Sequence, residues 1–526
     1  MENRNTGEAA APRAGSSCKK KRFRTSALLR ITGLVFAALL IALATVFVLR
    51  LYMSVPNEDD IRRHTETGVY AQGISVHGED VSGLTLAKAR ELIMSKVESD
   101  AKRINISVVH DTTLWLLSGA DLNVSSDIDI VLTNAMKLGF DGSYVENHKL
   151  KKQLATDGLA LDVAFIADDS ALSDKLSAIA LAIDTDPVDP AAEPVTWDAK
   201  PSFEYHEGSD GYVLDEAALK SEITSALSSG NLTIVLTPDL QLAKPEHDME
   251  WLKSNTQLRA TFQTSFGGSR SARNANRVGN IQKSTTILNG AKIQPGEEFD
   301  FNEYIGPRTE KGGWPLAPGI VSGNTYEMQP GGGICQVSTT LYNALLIAGA
   351  SLNTKLDRDP VTNAPINIGD SPIVVSERWH HSWPSSYADR GLDATVSTGG
   401  KNLRFVNNTS APMYIFAYCD QEEYLSTIYI YGEPLPDGVT YKVYGETVET
   451  TQPPATLTVT NPEWPTGYQA EVITSRPGYK AVVYRDTLIN GKISGEPEKL
   501  YSESYSPKQG KIEIGTGAAT LPKPAN

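Results

Sequence analysis

Pro330-Gly331-Gly332-Gly333-Ile334-Cys335-Gln336-Val337-Ser338-Thr339-Thr340-Leu341-Tyr342-Asn343-Ala344 is the stretch on which the reading of this 526-residue chain turns. Three glycines remove Cβ atoms where the backbone must turn tightly or let a substrate approach. Immediately after them Val337, Leu341, Ala344, Leu345 and Ala348 fall at helical spacing, and Gly349 supplies a stop. Cys335 is therefore expected at the first turn of a helix with a buried face. There, unpaired amide N–H groups and the positive end of the macrodipole favour thiolate over thiol. A nucleophile is one reading of this pattern. A small buried cysteine packed under a glycine turn is the other.

Outward from this stretch, composition narrows the partners. A formal charge of −15 shows no basic patch able to follow a phosphate backbone, so no nucleic-acid partner is expected. Lys19, Lys20, Lys21, Arg22, Arg24 and Arg30 crowd the end of a polar N-terminal stretch. Ile31 to Leu49 then runs without a charge, long enough for one membrane crossing. The positive-inside rule puts the basic side in the cytoplasm and the remaining chain outside. Phe47-Val48-Leu49-Arg50 lacks a small-residue cleavage pattern, so the run is read as a retained anchor. Of three cysteines, Cys335 and Cys419 would lie outside, where a disulfide between them is the structural rival to a reactive thiol.

Along the chain, Ala89, Ile93 and Val97 keep helical spacing behind Thr85, and 126–140 and 168–183 read as helices. Strands are expected at 104–109 and 114–117, and two more around the glycine turn of 201–215. A helix with Leu219, Ile223 and Leu227 and a strand at 232–236 close an α+β module without a catalytic constellation. Residues 246–260 read as a helical connector and 261–271 as an exposed loop. Beyond the Cys335 helix, Arg378-Trp379-His380-His381-Ser382 holds the chain's adjacent histidines; neighbouring side chains on extended backbone point to opposite faces, so one of the pair can face the thiol. Strands follow at 403–407, 413–418 and 426–431, and a β-rich tail begins near 440. Pro453-Pro454 and Pro462 look like a linker there, and the tail reads as a small single sheet suited to adhesion or spacing.

The glycine–cysteine stretch resembles the signature of VanW-domain proteins. So do Asn276-Arg277 with Asn280-Ile281, Pro295-Gly296-Glu297 with Phe299-Asp300-Phe301-Asn302, Gly306-Pro307-Arg308-Thr309, and His381-Ser382 with Pro384, Tyr387 and Asp393-Ala394-Thr395-Val396. Residues 85–240, with Phe203, Gly211 and Asp215, resemble the YoaR-type peptidoglycan-binding domain. The tail, ending Ile514-Gly515-Thr516-Gly517, is similar to a G5 domain.

The resemblance implies a multidomain α+β protein: a single N-terminal transmembrane helix, an α+β wall-binding module, an α+β VanW domain and a small all-β C-terminal domain. The expected boundaries are a cytoplasmic basic tail at 1–30, the transmembrane helix at 31–49 and a spacer at 50–69. The YoaR-like domain follows at 70–245, the VanW domain at 260–435, the G5-like domain at 440–517 and a disordered tail at 518–526.

Some VanW-domain proteins are linked to L,D-transpeptidation, which makes 3-3 cross-links in peptidoglycan through a cysteine nucleophile. Carried onto this chain, the nucleophile is Cys335 and the family's histidine His381. Asp393 is the candidate to orient the imidazole. Gly332, Gly333 and Gln336 in the turn, with Arg277, Arg308 and Tyr387, are the candidate substrate-binding residues, the arginines for a stem carboxylate. The expected partners are peptidoglycan stem peptides and glycan, with the membrane through one helix. No cofactor or metal is expected, because Cys-x-x-Cys and helical two-histidine spacings are absent. The alternative function is a non-catalytic peptidoglycan-binding or scaffolding envelope protein.

Overall fold

A computed structural model describes residues 25–197, 200–321 and 325–518. Residues 1–24 of the basic tail and 519–526 of the expected disordered tail lie outside them. The chain forms two compact units. The first holds the described residues up to Asp186 together with Gly211–Ala243; the second holds Pro187–Asp210 and the chain from Lys244 onward.

The first unit opens with the helix Thr25–Met53, whose Thr32–Met53 part is long and apolar enough to cross a membrane and has no buried side chain. Within the expected spacer, Glu58–Thr67 is helical, started by Asn57, whose side chain accepts the Asp60 N–H at 2.9 Å. Helix Leu86–Arg103 buries Ala89, Ile93 and Val97, the residues its spacing selects; Thr85 sits at its N-cap without a side-chain cap bond. A helix at Tyr144–Asp157 begins with a full capping box of Ser143 and Glu146. The unit's three-stranded sheet runs Thr233–Leu236, Asn105–His110, Thr113–Ser118, parallel then antiparallel. The two strands expected around the 201–215 turn exist but do not pair with each other. Phe203–His206 pairs with Ala191–Pro194 in the second unit, and Gly211–Leu214 with Leu240–Ala243 in the first.

The second unit is built on a four-stranded sheet in the order Gln257–Ser265, Leu425–Gly432, Met413–Asp420, Ala291–Ile293, antiparallel throughout. The expected loop at 261–271 is therefore half strand. Alternation across Ala260, Phe262 and Thr264 is what places it there, with Ala260 and Thr264 buried. Helix Cys335–Ile347 packs against this sheet. Val337, Leu341, Ala344, Leu345 and Ala348 are all 0% exposed, and each of the larger ones contributes roughly 1.5–3 kcal/mol by burial. Gln336, Ser338, Thr339, Thr340 and Asn343 are buried as well, so the helix is covered on every side. Its C-terminal carbonyls meet two arginines: Arg259 Nε donates to Ala348 O at 2.7 Å and Arg485 Nη1 to Ala350 O at 2.9 Å.

The C-terminal region corrects the single-sheet expectation. It has two sheets, one built on Val439–Thr451, Gly478–Ile489 and Glu498–Tyr505, the other on Leu457–Pro465, Lys511–Gly517 and Gln469–Ile473. Pro462 lies inside a strand instead of a linker. The register against Lys511–Gly517 breaks between Asn461 and Pro465, so the missing N–H falls in a bulge.

The hairpin Leu316–Val321/Thr325–Pro330 delivers the glycine turn. A Cβ on Gly332 would lie 2.3 Å from the Ala317 carbonyl oxygen of that hairpin, whereas a Cβ on Gly279, inside helix Ala275–Leu288, meets nothing within 4 Å. Gly332→Ala is expected to lower unfolding free energy by about 1–3 kcal/mol, as overpacking does. Gly279→Ala is expected to leave it unchanged or raise it by up to about 1 kcal/mol. Denaturant titration of the two purified variants checks the contrast; equal stabilities would refute it.

Candidate active site

Cys335 occupies the first helical position after Ile334, as the glycine turn requires. Gly331 (φ +76°) and Gly333 (φ +107°) hold the left-handed conformations that form the turn. The N–H groups of Gly332, Ile334 and Gln336 donate to the carbonyls of Gln329, Gly331 and Gly333. Among the described residues, the Gly333 and Cys335 N–H groups have no backbone acceptor.

Buried polar side chains of the helix fasten a second segment beside the sulfur. Ser338 Oγ donates to Ala394 O at 2.7 Å, Ala394 N donates to Thr339 Oγ1 at 3.0 Å, and Asn343 Nδ2 donates to Leu392 O at 2.8 Å. These bonds place Asp393. The histidine segment is then tied on: Thr395 N donates to Trp379 O at 2.7 Å, and the His381 N–H donates to Asp393 Oδ2 at 2.6 Å. His381 Nδ1 lies 2.7 Å from the same Oδ2, and the imidazole hydrogen-bonds the Cys335 thiol. With Nδ1 on the carboxylate, Nε2 is the nitrogen left for sulfur. His380 turns the other way, its Nδ1 2.7 Å from the His381 carbonyl and its Nε2 3.3 Å from Glu503.

The electrostatics follow from this geometry. Burial alone would push the Cys335 thiol up, but the hydrogen bond and charge of His381, with Thr395 Oγ1 at 3.4 Å, hold it down at about 7. Burial would lower His381; its bonds to Asp393 and Cys335 and their charges raise it to about 9. Burial would raise Asp393, yet His381, Arg378 and Tyr505 bring it to about 2. Between those limits the site holds a thiolate, an imidazolium and a carboxylate in line. Cys335 is half-buried as a residue, while His381 is 4% and Asp393 1% exposed.

Both Cys335 and Cys419 are free thiols, so the disulfide alternative is not formed. Burial pushes Cys419 up to about 11.

The other candidates divide. Arg277 covers Gly333 and donates to Ser269 Oγ and Gln336 Oε1, each at 2.9 Å. Gln336 is fully buried and donates to Thr264 Oγ1 at 3.1 Å, so it holds Arg277 and the helix and does not face a ligand. Gly332 is likewise buried, walled by the Ala317 carbonyl and bonded through its own carbonyl to Asn280 Nδ2 at 3.0 Å. Both departures from the expected binding role have one cause: the helix start is packed from behind. Arg308 lies under Gly331, is 6% exposed, and feels the Cys335 charge. Its Nη1 donates to Asn302 Oδ1 at 2.7 Å, while Nη2 is buried without a partner. Tyr387 sits within electrostatic range of Cys335 and Arg277, hydrogen-bonds Thr339, and is pushed well up by burial.

Four residues escape the sequence reading: Arg378, Tyr501, Glu503 and Tyr505. Arg378 donates through Nε to Asp393 O at 2.9 Å and through Nη2 to Gly391 O at 2.7 Å, and its guanidinium stacks over Tyr342 and Tyr501. The other three alternate on one strand, the one signal in the sequence that could have marked them as a shared face. A cleft of about 780 Å³ lined by Arg259, Tyr441 and Arg485 lies by Gly349, at the far end of the helix from the sulfur, and takes no part in this chemistry.

An α+β body carrying a Cys–His–Asp relay at a glycine-turn helix start is the class that fold and site define. Residues 276–367 and 363–429 match the family described as VanW like protein, 115–235 the "Putative peptidoglycan binding domain", and 444–517 the G5 domain. The chain thus carries a VanW-like domain, a peptidoglycan-binding-type domain and a G5 domain. It is 31% identical over 211 residues to the uncharacterized protein YoaR of Bacillus subtilis (strain 168), spanning 40% of this chain and 60% of that one. To the vancomycin B-type resistance protein VanW of Enterococcus faecalis it is 26% identical over 165 residues, 30% of this chain and 51% of that one. The chain thus spans about half to three fifths of these relatives. A solved IgA1 protease G5 domain matches 16% of this chain and 96% of its own length, at 17% identity and a TM-score of 0.12.

Iodoacetamide alkylation of Cys335 is expected to follow an ionisation near pH 7 and, in His381→Ala, to move to or above the ordinary thiol value of about 8.5. Cys419 serves as the inert internal control. Mass-spectrometric rate profiles decide it; a wild-type inflection at the ordinary value would remove the ion pair.

Proposed function

We propose that the protein is a cysteine-dependent L,D-transpeptidase-like enzyme of peptidoglycan, anchored by its N-terminal helix with the bulk of the chain outside the membrane. The observation that carries this reading is the hydrogen-bonded Cys335–His381–Asp393 relay, in which His381 lowers the thiol's pKa. The Cys335 thiolate attacks the carbonyl carbon between the third stem residue and D-Ala. The Gly333 and Cys335 N–H groups are the donors available to the oxyanion. His381 imidazolium gives its proton to the departing D-Ala amine, and a thioester remains. The amine of an acceptor stem attacks the thioester while His381 takes its proton, restoring the thiolate. Asp393 keeps the imidazole in the tautomer this exchange needs. Arg308, with a buried Nη2 lacking a partner and within electrostatic range of Cys335, fits a substrate carboxylate, and Tyr387 lies within electrostatic range of the same sulfur, with Arg277 over Gly333. The peptidoglycan-binding-type domain supports a wall-bound substrate, and the apolar span at Thr32–Met53, behind its basic flank, supports the anchor.

Incubating the purified protein with disaccharide-tetrapeptide is expected to yield 3-3 dimers, with a rate that rises through about pH 7 as the thiol ionises and falls through about pH 9 as His381 loses its proton. Cys335→Ala should abolish the product. Equal product from both proteins would refute Cys335 as the nucleophile, and none from either would leave the wall-binding scaffold as the function. Arg308→Gln should cut kcat/KM about 10- to 100-fold, from the roughly 1.5–3 kcal/mol of a hydrogen bond to a charged group, mostly through KM. An unchanged KM would take the carboxylate away from Arg308.

A further inference from the structure

The C-terminal domain reaches into the relay. On strand Glu498–Tyr505, Tyr501, Glu503 and Tyr505 stand at alternate positions and share one face. That face lies on the segment bearing Asp393. Tyr505 Oη donates to Asp393 Oδ1 at 2.6 Å and accepts the Gly391 N–H at 2.8 Å. Tyr501 Oη donates to Gly391 O at 2.8 Å, and Glu503 pairs with Arg378, whose guanidinium holds the Asp393 carbonyl.

Both carboxylate oxygens of Asp393 are therefore committed. Oδ2 serves the His381 main chain and ring, and Oδ1 has Tyr505 as its side-chain donor. Without that hydroxyl the carboxylate is free to rotate about its last bond, and the imidazole loses its fixed acceptor. We propose that Tyr505 is a positioning residue of the reaction centre: its hydroxyl, supplied by the G5 domain, fixes Asp393 and, through it, the His381 ring against the Cys335 sulfur. The relay is thus assembled from two domains. This rests on the Cys–His–Asp reading above, and it makes the G5 domain part of the site and not merely a neighbour.

The test uses the full chain and reads the thiol, which is independent of whether peptidoglycan is the substrate. The groups that bear on Asp393 are His381, Arg378 and Tyr505, with Tyr501 and Glu503 behind Arg378. In Tyr505→Phe the ring remains to fill its buried site and the hydroxyl alone is removed. The iodoacetamide inflection of Cys335 is expected to rise by about one pH unit, a roughly fivefold loss of rate at pH 7. Arg485→Met removes a contact of the same domain to the far end of the Cys335 helix, at Leu346 O and Ala350 O, without touching Asp393. It is expected to lower the melting temperature and leave the inflection in place. A Tyr505→Phe profile that superimposes on wild type or moves down overturns the proposal. So does an equal rise in both variants, because that would be general loosening. A wild-type inflection already at the ordinary thiol value would sink the relay itself and this proposal with it. Normal profiles without 3-3 dimers would count against the transpeptidase reading alone.

Discussion

One buried carboxylate holds the second unit's chemistry together. Asp393 is 1% exposed and ionised, and three donors from two distant parts of the chain converge on its two oxygens: the His381 main chain, the His381 ring and the Tyr505 hydroxyl. A charge taken this far from water is tolerated only when such donors replace hydration. The Arg378 guanidinium, itself bonded to the Asp393 carbonyl, adds compensating positive charge. Remove the convergence and nothing local keeps His381 beside the sulfur.

The Cys335 helix is the other half of that arrangement. A helix buried on one face would expose its polar residues. Here Gln336, Ser338, Thr339, Thr340 and Asn343 are all buried, and their side chains bond neighbouring segments. Buried hydroxyls and amides are tolerated where they find partners: Ser338, Thr339 and Asn343 Nδ2 bond backbone groups around Asp393, while Gln336 and Thr340 bond Thr264. The same polar residues that would weaken an apolar core thus set the position of the relay. At the helix start, the Ala317 carbonyl packs against Gly332 and Arg277 against Gly333.

Much of the fold was legible from periodicity. The buried positions of the helices at 86–103 and 216–228 are those that spacing selects, because one apolar stripe suffices to identify a packed helix; at 335–347 spacing found the apolar face but not the buried polar one. The strands at 404–407, 413–420 and 425–432 also fall where alternation and turn residues put them. Legibility failed where small polar residues carried a strand, as at Gln257–Ser265, and where a bulge let Pro462 sit inside one. It failed again at 201–215, since two adjacent strands need not pair and here lie in different units.

For the site, local chemistry was readable and convergence was not. The glycine turn, a cysteine at a helix start and a histidine of an adjacent pair announce themselves, because each depends on residues within a few positions. Sequence alone therefore determined the helix, the thiol's place at its first turn and the limit of one facing histidine. Which histidine faces the thiol, that Cys335 and Cys419 stay apart, and that Gln336 and Gly332 turn inward were decided by the tertiary structure. So was the arrival of Tyr505 from 112 positions downstream of Asp393. Hydrogen bonds act over about 3 Å of space whatever the separation along the chain, and only folding sets that distance.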